Sequence, residues 1–348
     1  MRMSANVNAA EGWQERPAPL EAAAMRFLAC LACLVLLATF APPGTRGRPE
    51  PLPAVAFVHF APVPFDDSDP KRRRIGPLTW LGEWKLTSND RRFGGISAME
   101  VEGDRVTSFS DAGWLIRFQL PHAGAVAPAS VGPLPQGPGD GERKSDRDIE
   151  SMILSGDSAW IGLERRNAIW RYDRSDWHVT SWAAPRPMRH WPANRGAEAM
   201  LRLGDGRFLV FAEGQGVDSL SHVLLFAGDP SVPGTPFVAM HYAKPPGYRT
   251  TDAAQLPDGR ILILNRRFAL LEGVSAKLSL LDLSGAREGA VLRGRVLADF
   301  HRPLNVDNME GLSITRERGR MIVWIASDDN YNPLQRTLLM KFALDDRL

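Results

Sequence analysis

Cysteine is almost missing from this 348-residue chain: there are two, Cys30 and Cys33, and both fall inside one apolar stretch. The remainder therefore has no disulfide framework, no thiolate nucleophile and no cysteine-based metal centre. Histidine is sparse, and none of the seven shows zinc-ligand spacing of the His-Glu-x-x-His kind. His190 beside Trp191 and His241 beside Tyr242 read as interfacial or core residues. An excess of one charge is lacking too. With 42 Lys and Arg against 40 Asp and Glu, the formal net charge of +2 gives no footprint for nucleic acid. The basic run Lys71-Arg72-Arg73-Arg74, set between Pro70 and Pro77, reads as a solvated linker face. No nucleophile elbow occurs, since Gly95-Ile96-Ser97-Ala98-Met99 lacks the second glycine, and no phosphate-cradling glycine loop is present.

Long hydrophobic runs are reduced to one, Phe27 to Ala41, preceded by Arg26 and broken by Pro42-Pro43-Gly44. About 15 apolar residues behind a positive charge match a signal-peptide core and fall short of a spanning helix. Thr39-x-Ala41 fits the small-residue cleavage rule but is followed by Pro42, so residues 1–44 read as a signal peptide or an N-terminal anchor. Met25 is an alternative start, which would make residues 1–24 a mis-called extension. The expected location is periplasmic or secreted, or inner-membrane anchored if the segment is kept. Residues 45–77 read as a Pro-rich linker with one strand near Val55-Ala56-Phe57-Val58, and residues 78–348 as the folded domain.

Glycine (31) and proline (27) are plentiful, which suits many tight turns. Five segments repeat one pattern: a polar start, an apolar strand, a Gly/Asp turn, and a second strand ending in charge. They begin at Gly95, Asp148, Ala197, Asp252 and Met309, with turns at Glu102-Gly103-Asp104, Ser155-Gly156-Asp157, Gly204-Asp205-Gly206 and Asp258-Gly259 in the first four. Equivalent positions step through Gly95, Glu150, Glu198, Asp252 and Glu310, at intervals of roughly 48 to 58 residues, a period that fits a four-stranded propeller blade. Third strands follow at Trp114–Leu120, Ala168–Tyr172, His222–Phe226, Lys277–Leu283 and Thr337–Leu344, and fourth strands at Val179–Trp182, Phe237–Tyr242 and Leu292–Phe300. The last unit runs out of chain before a fourth strand, whereas Leu78–Leu86 is a strand without a unit. The expectation is an all-β, single β-propeller, closed by that N-terminal strand as the outer strand of the last blade. Five blades are counted; residues 112–147 and 265–300 leave room for a sixth. A β-sandwich does not predict the same start and end chemistry five times.

In a hairpin the start of strand one and the end of strand two lie side by side, so the polar positions converge at one end of the channel. Strand-one starts supply Glu150, Glu198, Asp252 and Glu310; strand-two ends supply Asp111, Glu164, Glu213, Arg165, Arg166, Arg266, Arg267, Asp328, Asp329 and Asn330. Crowded carboxylates need protons, arginines or a hard cation, and Ca2+ accepts many oxygen ligands without His or Cys. Glu150, Glu198, Asp252, Glu310, Asp328 and Asp329 are the candidate metal ligands. Glu150, Glu198, Glu310 and Asp328 are the candidate catalytic set, and Arg166, Arg266, Arg267 and Asn330 the candidate substrate-binding set.

The order and spacing of Gly95-Ile96-Ser97, Asp148-Ile149-Glu150-Ser151-Met152, Glu198-Ala199-Met200, Asn265-Arg266-Arg267-Phe268, Asn308-Met309-Glu310-Gly311-Leu312 and Ser327-Asp328-Asp329-Asn330 resemble the phytase-like family, proteins with esterase-like activity of phytase. The resemblance spans about residues 80–345. It implies an exported bacterial propeller and a hydrolase label by similarity to phytases, which use calcium to hold phosphate esters. The expected function is metal-assisted hydrolysis of small-molecule esters, phosphate esters preferred, by a monomer. The rival is a non-catalytic propeller that binds a glycan, peptide or envelope protein, its carboxylates forming a structural calcium site.

Overall fold

A computed structural model describes residues 52–345 apart from 122–124, 140–145, 193–195 and 215–219. The signal peptide or anchor expected at residues 1–44 lies outside the described residues. Among the described residues the fold is all-β, with one short 3-10 turn at Arg186–His190, and no helix is long and apolar enough to cross a membrane.

In chain order β1 (Ala56–Pro62), β2 (Arg74–Ile75) and β3 (Leu78–Ser88) precede the repeats. The first blade is β4 (Ile96–Glu102), β5 (Arg105–Ser110), β6 (Trp114–Gln119) and β7 (Val126–Pro133). The second is β8 (Ile149–Ser155), β9 (Ser158–Leu163), β10 (Ala168–Asp173) and β11 (Val179–Ala183). The third is β12 (Ala197–Arg202), β13 (Phe208–Ala212), β14 (Leu220–Phe226) and β15 (Phe237–Ala243). The fourth uses β16 (Arg249–Gln255), β17 (Ile261–Ala269) and β18 (Gly273–Leu281). The three residues of β19 (Val291–Arg293) then add in parallel to β15, and β20 (Arg295–Phe300) returns to β18 as the outer strand. The last is β21 (Asn308–Glu317), β22 (Arg320–Asp328) and β23 (Thr337–Leu344), completed by β3.

The described strands pair into sheets of ten, four, five and four, the ten-stranded one running from the last blade through β3, β1 and β7 to the first. Inner strands β4, β8, β12, β16 and β21 each touch the next, and β21 touches β4, which closes the ring. The inner and second strands are buried almost throughout, as in Phe208-Leu209-Val210-Phe211-Ala212, because both of their faces meet neighbouring blades. The outer strand β11 alternates toward solvent. The apolar core divides into five clusters, one per seam between blades. Leu264 and Leu278 of the fourth blade meet Leu338 and Phe342 of the last, and Ile96 and Met99 of the first meet Ile322 and Trp324 of the last. Among the described residues of 112–147 the strands are β6 and β7, and those of 265–300 include β18 to β20.

Ring closure falls to β3, as the strand count required: Leu339 pairs with Trp84 and Leu344 with Leu78. The span read as a linker does more than connect. β1 pairs with both β3 and β7, so it ties the last blade to the first, and β2 pairs with β3. Val58 and Phe60 of β1 are buried while the residues between them are exposed, the period-2 pattern of a half-buried strand. The basic run is drawn into the same closure. Arg72 pairs with Asp66 at 3.1 Å, the Arg73 guanidinium lies 4.8 Å from the Trp80 ring centre, and Arg74 pairs with Asp345.

Each inner strand carries a bulge at its start. Ile96 pairs with Ser110 and Ala98 with Phe109, leaving Ser97 outside the ladder. The same slip leaves out Glu150 in β8, Glu198 in β12, Thr251 in β16 and Glu310 in β21. A bulge bends the strand and re-aims the extra side chain. Where that residue bears a hydroxyl it joins blades: Ser97 Oγ donates to Ile149 O at 2.6 Å, and Thr251 Oγ1 to Met309 O at 3.1 Å.

One buried acid belongs to the closure. Glu83 of β3 is 1% exposed, and neither of its carboxyl oxygens has a hydrogen-bond partner among the described residues. Burial lifts its pKa from 4.5 to about 9, with Arg336 lowering and Asp67 raising it further. The folded state therefore keeps a proton that the unfolded chain releases above pH 4.5. Its contribution to stability is complete below pH 4.5 and is lost as pH climbs toward 9. The melting temperature should fall between pH 6 and pH 9, and Glu83→Gln, neutral at every pH, should flatten that slope; a pH series of thermal melts of both proteins checks it.

Candidate functional site

The hairpin register selects which charges face the channel. Two residues before each bulge, the second strand presents the partner of Gly95, Asp148, Gly196, Arg249 or Asn308. Extended from the paired residues, the ladders place Asp111, Glu164, Glu213, Arg266 and Asp328 there. Backbone bonds hold the register: Asp111 N donates to Gly95 O at 3.0 Å and Glu164 N to Asp148 O at 2.9 Å. One end of the channel is thus ringed by four carboxylates and one guanidinium, joined by the bulge glutamates Glu150, Glu198 and Glu310 of the second, third and last blades. The fourth blade, whose bulge residue is Thr251, supplies the cation.

These groups sense one another. Burial, then the charges of Asp148, Glu164, Glu310 and Asp111, drives the Glu150 pKa well above the ordinary carboxylate range. Burial, then Glu150, Glu213, Glu164 and Glu310, does the same to Glu198. Asp328 is raised by burial and by Asp111 and Glu310, against a 2.6 Å bond from Asn330 N. Glu164 rises to about 7 through burial and the charges of Asp148 and Glu213, held back by a hydrogen bond from Glu198. A hydrogen bond thus couples the titration of Glu164 to Glu198. Glu310 also sits at about 7: burial raises it, the Arg266 guanidinium pulls it down, and Asn308 Nδ2 donates to Oε1 at 3.0 Å.

Arginine compensation is local. Arg266 Nε lies 2.6 Å from Glu310 Oε1, Arg165 Nε 2.7 Å from Asp148 Oδ2, and Arg249 pairs with Glu213 at 2.6 Å. Burial works against the charged form of Arg266, but Glu310, Glu213, Glu198 and Asp328 outweigh it and raise its pKa. Oxygens of Asp148, Glu150 and Glu164 come within 4.8 Å of one another, with Asp148 and Glu164 buried and Glu150 half-buried. Three hard oxygen donors on one hairpin are a donor set suited to a divalent cation such as Ca2+.

The sequence-derived set divides accordingly. Glu150, Glu198, Glu310, Asp328 and Arg266 meet at the channel mouth. Asp252 does not: the ladder makes Thr251 its blade's bulge residue. The Asp252 carboxylate instead accepts the N–H of Leu312 at 2.7 Å and of Ala253 at 2.8 Å, stapling the fourth blade to the last. Asp329 accepts from Gly95 N at 2.8 Å, Tyr331 N at 3.1 Å and Thr337 Oγ1 at 2.9 Å, and so fixes the loop that joins the last blade to the first. Arg166 is exposed and pairs with Asp146 at 2.7 Å. Arg267 pairs with Glu272 at 2.9 Å, and Asn330 is exposed and donates to Gln335 at 3.0 Å. Asp148, Arg249 and Asn308 were missed as site residues; their signal is the hairpin register, which puts each one opposite a second-strand charge.

A family model described as Phytase-like, esterase-like activity of phytase, matches residues 91–331. No curated protein matches the chain. Among solved structures, a Myxococcus xanthus glutaminyl cyclase is 10% identical with a TM-score of 0.44, over 77% of this chain and 97% of that one. An exo-1,5-alpha-L-arabinanase from a bovine ruminal metagenomic library is 11% identical with a TM-score of 0.44, over 78% and 96%. The β-propeller domain of Myceliophteria thermophila Cps50 (Swd1) is 9% identical with a TM-score of 0.38, over 83% and 99%.

Arg266→Met would leave Glu310 and its neighbours without their shared cation. Removing one partner of a largely buried pair should destabilise the fold by about 2–3 kcal/mol at pH 8. The loss should shrink at pH 5, where those carboxyls already carry protons. Denaturant unfolding at the two pH values measures both.

Proposed function

Because the chain belongs to the Phytase-like family, we propose that it hydrolyses small-molecule esters, phosphate esters preferred, at the acidic mouth of its propeller channel. The observation that carries this reading is the Asp148, Glu150 and Glu164 triad, whose Glu164 is hydrogen-bonded to Glu198. The triad would hold a divalent cation, calcium being the expected one, which when bound neutralises and polarises an anionic ester.

The remaining steps belong to the chain. Glu198 keeps its proton near neutral pH because burial and four neighbouring carboxylates disfavour its ionisation, so it is placed to protonate a leaving alkoxide. The proton released by the attacking water must return to Glu198 before the next turnover, and Glu164, at about 7 and hydrogen-bonded to Glu198, can relay it. Arg266 holds Glu310 ionised and oriented, which keeps that carboxylate available to accept a proton from water. In this proposal Glu198 is the proton donor, Glu310 the acceptor and Glu150 a member of the cation-holding triad, with Asp328 raised by burial and by Asp111 and Glu310 beside them. Arg166, Arg267 and Asn330 take no part in it, since they are engaged by Asp146, Glu272 and Gln335.

A specific observation also favours a non-catalytic reading: Arg165, Arg166, Arg266 and Arg267 are each ion-paired with a carboxylate. In that case the acidic mouth is a structural cation site on a binding propeller. Calcium titration of thermal stability alongside hydrolysis of p-nitrophenyl phosphate and p-nitrophenyl acetate separates the two. Stabilisation with turnover is expected, and chelation should abolish both. Stabilisation without turnover on any ester would overturn the hydrolase reading and leave the structural site. Glu150→Gln should lower kcat/KM by about 100-fold or more, the scale on which general acid–base and metal contributions act.

Cation binding should also depend on pH. Ligand carboxyls must shed their protons, so affinity should fall as pH drops below about 7, where Glu164 becomes neutral. Calorimetry in buffers of different ionisation enthalpy would show the matching proton release.

A further inference from the structure

Arg267 points away from the channel because successive strand residues project to opposite faces. Its neighbour Arg266 meets Glu310; Arg267 lines a cleft of about 580 Å³ between the third and fourth blades, with Lys244, Tyr248, Glu272, Lys277 and Asp299. The volume is that of a small-molecule pocket. Tyr248 is 5% exposed and within hydrogen-bonding distance of Ser275 Oγ, at 3.1 Å, which fixes its ring. The ammonium of Lys277 lies 5.1 Å from the centre of that ring and the Arg267 guanidinium 5.9 Å, so two cations share one aromatic ring. Lys244, 3% exposed, lines the same cleft, and Gly214 makes room for it. At φ +78° a Cβ there would meet Lys244 Cε at 2.9 Å.

The two ion pairs in the cleft are lopsided. Arg267 is 32% exposed against 68% for Glu272, and Lys277 22% against 42% for Asp299. The cations are the seated partners, and the acids reach in from solvent. Ion pairs to such exposed carboxylates contribute little, so another anion can displace them at small cost. The displaced acids regain full hydration, while the cations keep a charged partner over a fixed aromatic floor.

We propose that this cleft binds a small organic anion, a phosphate- or carboxylate-bearing molecule. Arg267 and Lys277 hold the charged group, both set by the buried Tyr248 ring. The site is separate from the acidic channel mouth and does not depend on the hydrolase reading.

Calorimetric titration of the full chain in metal-depleted buffer tests it, with glucose 6-phosphate and inorganic phosphate as probes and glucose as the neutral control. Saturable one-site binding of glucose 6-phosphate is expected, with none for glucose. Lys277→Met and Arg267→Met should each weaken it about tenfold, the scale of one charged hydrogen bond. Glu272→Gln, at an exposed position that leaves the fold untouched, should tighten binding severalfold by removing the competing carboxylate. Glu150→Gln should leave it unchanged. Absence of saturable binding to either phosphate probe overturns the proposal. So does binding indifferent to Lys277→Met, Arg267→Met and Glu272→Gln, and so does binding lost in Glu150→Gln, which would place the anion at the channel mouth.

Discussion

Each inner strand carries one residue more than its partner can pair, and the candidate site exists because of that slip. A regular strand would send alternate side chains into the two seams beside it, where the neighbouring blades leave no room for charge. The bulge at Ser97, Glu150, Glu198, Thr251 and Glu310 breaks the alternation once, at the channel end. Apolar residues beyond it, such as Met99, Met152 and Met200, return to the seams and are buried. The same device serves two ends. With serine or threonine it ties one inner strand to the next; with glutamate it points a carboxyl at the channel mouth.

Gathering that many acids in a place of low polarity is unfavourable unless each charge is answered. Three kinds of answer are visible. Asp148, Glu213 and Glu310 have Arg165, Arg249 and Arg266. Glu164 is eased by a hydrogen bond from Glu198. Glu150, pressed by four other carboxylates, is left to hold a proton or to share a cation with Asp148 and Glu164. The group that would rest on a cation for compensation is therefore also the group whose oxygens converge, and this is why the acidic mouth reads as a site as well as a seal.

The fold was legible in the sequence because its signals are repeated. Gly-Asp and Asp-Gly turns between apolar runs recur, and one strand lacks a unit where one unit lacks a strand. Ring closure by Leu78–Ser88 followed from that arithmetic. The site was legible only to within a residue or two. Asp252 stands next to the true bulge position, Thr251, and a carboxylate was a more conspicuous match to Glu150 and Glu198 than a hydroxyl. Which of Arg165 and Arg166, or of Asp328 and Asp329, faces the channel depends on strand register, and a one-residue slip exchanges them. The 45–77 span looked like a linker because prolines and arginines hid the short alternation around Val58 and Phe60.

Arg266 and Arg267 show how one hairpin divides two chemistries. β17 and β18 stay paired through Arg267–Ser275, Phe268–Val274 and Ala269–Gly273, beyond the Arg249–Arg266 pair where the inner strand begins. That overhang extends the ladder by about 10 Å at the usual rise per residue. At its base Arg266 meets a surplus of negative charge and serves as a counter-ion; Arg267, its first residue, meets an aromatic ring and exposed, weakly held acids. An anion approaching the channel mouth is opposed by the carboxylates there unless a cation precedes it, whereas in the outer cleft Arg267 and Lys277 present positive charge directly. The alternation of a single strand thus separates a place suited to cations from one suited to anions, with no change of fold between them.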